Sequence, residues 1–161
     1  MSEEKECYIG SPSPYFVRVL KTPRELAIAI EGALHLAATY FRAEKMPWPA
    51  SVQEARLAHE RWQTEAQRLK KQFEEDDAAD RWKDERQRIN IELRVYNTFN
   101  RARALKAIYH LLEILEALED PAKCEDWALE ADAPDEASSE GTLCYKANWW
   151  LILLGASLKG M

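Results

Sequence analysis

From Ala50 to Asp120 the chain runs 71 residues without a glycine or a proline. Ala, Leu, Glu, Lys, Gln and Arg dominate this stretch, and all are good helix formers, so it reads as long helix. Drawn straight, it would measure about 106 Å at about 1.5 Å per residue. A compact domain of 161 residues is only on the order of 40 Å across. The helix therefore folds back at least once, or stands out as an extended coiled arm. The fold-back is expected at Glu74-Glu75-Asp76-Asp77-Ala78-Ala79-Asp80. Acids there oppose the dipole of a helix C-terminus, whereas Asp77 or Asp80 would cap a new helix.

The flanks place the other elements. Residues 1–21 form an N-terminal lead or strap. Pro12 and Pro14 keep its first part out of helix, and Tyr15 to Leu20 has the β-branched and aromatic character of a short strand. Thr22-Pro23-Arg24-Glu25 then opens a helix over 22–45, with Thr22 as cap, Pro23 in the first turn and Glu25 completing a capping box. Leu26, Ile30, Ala33, Leu34, Ala37 and Phe41 recur on its core-facing side. A second box, Ser51 with Glu54, starts the long helical region 51–120. Within it Ile89 to Val95 alternates apolar and polar like a strand. Helix is preferred, because Ile89, Leu93 and Tyr96 also form a helical stripe and no turn residues bound the run. The apolar face from Leu105 onward sits about 100° around from the earlier stripe, which predicts a bend or a change of packing partner near residues 96–100. Pro121 ends the region. Residues 121–142 read as an acidic loop in which Trp127 and Leu129 act as pins, and 143–158 as an apolar helix carrying Trp149 and Trp150 in its core. The predicted fold is all-α, an irregular single-domain bundle of four or five helices around a long hairpin, with the C-terminal helix at the centre.

Charge narrows the function classes. The net charge of −6 hides two opposed segments. Asp120 to Glu140 holds eight acids and one lysine, a local −7, and Arg81 to Lys106 holds eight bases and three acids, a local +5. Three cysteines, Cys7, Cys124 and Cys144, are far apart and odd in number. They show neither zinc nor redox spacing and suit unbridged thiols in a reducing, cytoplasmic setting. The acidic start of the chain has no signal-peptide character, and the most apolar run, Ala147 to Leu158, is too short for a bilayer. No metal motif, phosphate loop, dinucleotide fingerprint or nucleophile elbow occurs, so no cofactor is expected.

Four constellations remain. Trp62, Leu69 and Phe73 lie on a narrow stripe that suits a two-helix seam or the groove of a protein partner. The acids Asp132, Asp135 and Glu136 would add long-range attraction to a basic partner surface. Arg81, Arg88, Arg103 and Lys106 fall within about 60° of one another on an ideal helix and could follow a nucleic-acid backbone. Arg103 and His110 lie two turns apart on one face. That spacing resembles the Arg-x4–6-His motif of HEPN-type helical ribonucleases. The resemblance implies His110 for acid–base chemistry and Arg103 for phosphate stabilisation, without a metal. It covers these two residues only. Ala104 stands where such motifs usually carry a polar residue, and the spacer is at its long limit.

The residues therefore favour a non-catalytic protein–protein interaction module: a small subunit, adaptor, inhibitor or regulator of a larger assembly, with self-association through the stripe as another arrangement. A helical subunit contacting nucleic-acid backbone comes second, and a metal-independent ribonuclease third.

Overall fold

The computed structural model describes residues 5–10, 18–128 and 142–161. Two short strands, β1 (Cys7–Ile9) and β2 (Arg18–Leu20), precede five helices: α1 (Pro23–Ala43), α2 (Val52–Ala78), α3 (Glu85–Glu119), α4 (Pro121–Cys124) and α5 (Leu143–Lys159). The architecture is the expected all-α bundle with a long helical hairpin, α2–α3. The strap is a small antiparallel sheet in which Cys7 faces Leu20 and Ile9 faces Arg18. Of its two strands only the second was expected.

One device starts the three long helices. The cap side chain accepts the backbone N–H three residues on: Thr22 from Glu25, Ser51 from Glu54, Asp84 from Gln87. The side chain at the third helical position, in the first turn, then reaches back one residue beyond the cap, accepting the N–H of Lys21, Ala50 and Lys83 at 2.7 Å each. These reciprocal bonds satisfy donors that a bare helix start would leave unmet. The fold-back falls where expected, but the new helix is capped by Asp84 instead of Asp77 or Asp80. Asp80 instead sits just past the end of α2 with φ 50°. Arg81 N–H returns to Asp76 O and Asp80 N–H to Asp77 O, the Schellman pattern.

The end of α1 repeats that pattern. Lys45 has φ 55°, and the N–H of Met46 donates to Phe41 O at 2.8 Å. Left-handed backbone costs an L-residue about 1 kcal/mol, and Lys45 is exposed with no ion pair there. Lys45→Gly is therefore expected to raise unfolding free energy by about 0.5–1 kcal/mol, read from the denaturant midpoint.

The core lies between the strap, α1, the second half of α3 and α5. It holds Cys7, Ile9 and Leu20, then Leu26, Ile30, Leu34 and Phe41, then Leu105, Ile108, Leu111 and Ile114, and Trp150, Leu154 and Leu158. Trp127 pins the segment after α4 into this core, and its carbonyl accepts the N–H of Cys144. The central element is α3, which packs against α1, α2, α4 and α5. The C-terminal helix was expected at the centre with both tryptophans buried. Instead α5 keeps a solvent face: Trp149 is 38% exposed and Trp150 6%. A helix apolar on all sides gives no phase, so its orientation is set by what it packs on. A second correction concerns the cysteines. Cys7 and Cys144 form a disulfide across 137 residues, leaving Cys124 as the free thiol among them. The bond removes the argument that unbridged cysteines made for a reducing compartment. Among the described residues, no helix is long and apolar enough to cross a membrane.

Candidate interaction surface

Helix α3 is continuous through Ile89 to Val95 and changes packing partners at its middle. None of residues 85–97 is buried; burial begins at Thr98. On α2 only Ala55 and Ala66 are buried. Beyond Ala66 the two helices therefore pair as an arm, about 20 Å long for 13 residues, with no third element burying it among the described residues. The tip is clasped. Arg88 Nε and Trp82 Nε1 both donate to Asp77 Oδ1, at 2.9 and 3.0 Å. The Arg88 guanidinium lies 5.6 Å from the Phe73 ring, whose centroid is 5.4 Å from Trp82. The bonds from Arg88 and then Trp82 hold the Asp77 carboxyl below its usual range.

Of the stripe, Leu69 and Phe73 lie in the seam of this arm and Trp62 just before it, against the core, each residue half-buried. Arg101 spreads its guanidinium 5.2 Å from the Trp62 ring and donates from Nη2 to Glu44 Oε2 at 3.2 Å. Trp62 and Leu69 also line an open groove of about 630 Å³ along the arm, together with Asn90, Leu93, Arg94, Asn97 and Arg101. Phe73 does not line it. Asp132, Asp135 and Glu136 lie outside the described residues.

A second surface adjoins the groove through Leu93. Helix α5 covers one face of α3 as far as Asn100, whose Nδ2 donates to Gly160 O at 3.3 Å. At 100° per residue, Ile89, Leu93 and Tyr96 continue that face within about 60° of Asn100. With α5 ended, they are 46%, 51% and 54% exposed. The sequence shows these three as a stripe; their exposure depends on where α5 stops, which no local pattern records.

The four bases do not form a track. Arg81 lies before α3, in the connection, 3.5 Å from Asp76. Arg88 is spent on Asp77, Glu85 and Glu92. Arg103 stacks its guanidinium 5.9 Å from the Phe99 ring, and Lys106 Nζ sits 5.9 Å over Trp150. His110 is sandwiched, with its ring 4.0 Å from Tyr109 and stacked on Trp150 at 4.1 Å and 11°. Burial, then the charges of Lys106, His59 and Lys146, lower its pKa from 6.5 to about 4. The ring is neutral at pH 7, so its 3.9 Å approach to Glu113 is not an ion pair there. A proton shuttle for neutral pH wants a pKa near 7, which this packing opposes.

That shift has a stability consequence. The folded pKa is depressed, so as pH falls the unfolded chain takes up the proton first, near 6.5, and the folded chain only near 4. His110 therefore favours the fold fully above pH 6.5, and this share is lost on going down to pH 4. At 1.36 kcal/mol per unit the loss approaches about 3 kcal/mol. His110→Phe is expected to flatten the fall of denaturation free energy between pH 7 and 4 by that order. An unchanged slope would mean the ring titrates normally.

Among the described residues no group of three or more His, Cys, Asp or Glu could hold a metal. No family model matches the chain, and no curated protein or solved structure is significantly similar to it.

Proposed function

We propose that the protein is a non-catalytic interaction module, a small subunit, adaptor or regulator of a larger assembly, and that the α2–α3 arm is its partner-binding surface. One observation carries this reading: Ile89, Leu93 and Tyr96 stand half-exposed in register on a helix that has no core behind it. Single exposed apolar residues are ordinary, but an aligned set continuous with a groove that also holds Trp62 and Leu69 is what interfaces present. The arm's tip is also tied together by its own clasp, so it need not be ordered on binding, which lowers the entropic cost of association.

The test uses tagged full-length protein recovered from its native cells, beside Leu93→Glu. Leu93 is exposed, so the substitution should leave the denaturation midpoint within about 0.5 kcal/mol of wild type. It is expected to strip the co-purifying protein, or to abolish self-association in sedimentation if the partner is a second copy. Retention of every association by a folded Leu93→Glu protein would overturn the proposal.

A further inference from the structure

We infer that the arm's groove takes an acidic amphipathic segment of a protein partner, one that presents an apolar side chain beside a carboxylate. The inference rests on the interaction reading above and adds the partner's chemistry. Its lining carries three large apolar side chains, Trp62, Leu69 and Leu93. The charged groups among them are two arginines, Arg94 and Arg101, and one acid, Glu65. Arg68 already holds that acid through two hydrogen bonds, of 2.6 and 2.9 Å, and depresses its pKa by that bonding first. The charge of Arg94 also lowers the Glu65 pKa, as the weakest of its causes, so Glu65 is answered mainly by Arg68 and only weakly by the groove's own arginine.

Neither arginine is saturated. Arg94 is exposed and makes no ion pair among the described residues. Arg101 gives Nη2 to Glu44, but its Nε–H is buried with no acceptor. A buried unmet donor on a charged group is costly, and a modest turn of the head toward an arriving carboxylate would satisfy it. Asn90 and Asn97 add neutral donors and acceptors along the same wall.

The groove runs from Asn90 to Arg101, about 16 Å or three turns of α3, a length that suits three turns of a docked helix. Helix α5 covers α3 only as far as Asn100, so the neighbouring arm face is open to a further helix. A nucleic-acid strand fits less well, because it would leave Leu93, Ile89 and Tyr96 in water and Arg88 is consumed by acids.

The test measures anisotropy of a labelled helical peptide with leucines at i, i+4 and i+7 flanked by glutamates. The comparison probes are its lysine-for-glutamate counterpart and a single-stranded oligonucleotide, all against the full-length protein. The glutamate peptide is expected to bind at least about tenfold more tightly than the lysine peptide. Its affinity should fall at least about tenfold in Arg94→Gln and again in Leu93→Ser, and should weaken with salt. Equal binding of the two peptides would overturn the inference. So would binding indifferent to Arg94→Gln and Leu93→Ser, or tighter binding of the oligonucleotide at the same residues. If no probe binds while Leu93→Glu still strips the co-purifying protein, the acidic-segment inference falls and the interaction reading stands. If Leu93→Glu changes no association, both fall.

Discussion

Trp150→Ala is expected to lower the unfolding free energy by about 3–5 kcal/mol, whereas Trp149→Ala, one residue away, should cost less than about 1 kcal/mol. The two side chains leave α5 about 100° apart. Trp150 enters the core among α3 residues, stacks on His110 and lies under Lys106. Trp149 faces solvent. Removing the Trp150 ring leaves a cavity and also opens His110 to water. A second readout follows: in Trp150→Ala the His110 titration should move up from about 4 toward 6.5, because burial is the first cause of its depression. Denaturation curves and proton NMR titration of the imidazole check the two parts. Equal costs for the two tryptophans would mean that the phase of α5 is wrong.

The second large effect belongs to the Cys7–Cys144 bond. It ties β1 to the first turn of α5 across 137 residues, and a loop of that length gives a chain-entropy contribution of about 5 kcal/mol. Its neighbours reinforce the seam: Gly10 N–H donates to Asn148 Oδ1 at 2.8 Å, Lys5 Nζ to Glu125 O, and Cys144 N–H to Trp127 O. Replacing both cysteines by alanine is therefore expected to cost about 3–5 kcal/mol, with the arm's own contacts untouched. Reduction of the wild type should give a similar loss. A loss under about 1 kcal/mol on both routes would show that β1 is held without the bond.

Much of the frame was readable because it is local. Thr22 with Glu25 and Ser51 with Glu54 announce helix starts within four residues, and the absence of glycine and proline after Ala50 announces the hairpin's length. The Asp84 start is equally local, with Gln87 three residues on, but it sits in a run of charges where Asp77 and Asp80 offer themselves as caps too. What escaped is what depends on distant contacts. The disulfide joins residues 137 apart, one of them in a strand of three residues. The orientation of α5 is set by α3 and the strap. Trp62, Leu69 and Phe73 were legible as one stripe, yet each is half-buried, and only Trp62 and Leu69 also line the groove. The exposed set on α3 becomes visible as a surface only once α5 is seen to end beside Asn100. The four bases were read as sharing one helix, but Arg81 lies in the connection before α3, and Arg88 pairs with acids of its own arm.

Hydrogen exchange of the full-length protein, alone and in the complex that co-purifies with it, tests the arm most directly. Residues 62–73 and 89–101 should gain protection in the complex, while α1 and the outer face of α5 at Trp149 and Ile152 stay unchanged. An arm that exchanges identically in both states, with protection appearing instead at Trp149 and Ile152, would contradict the account.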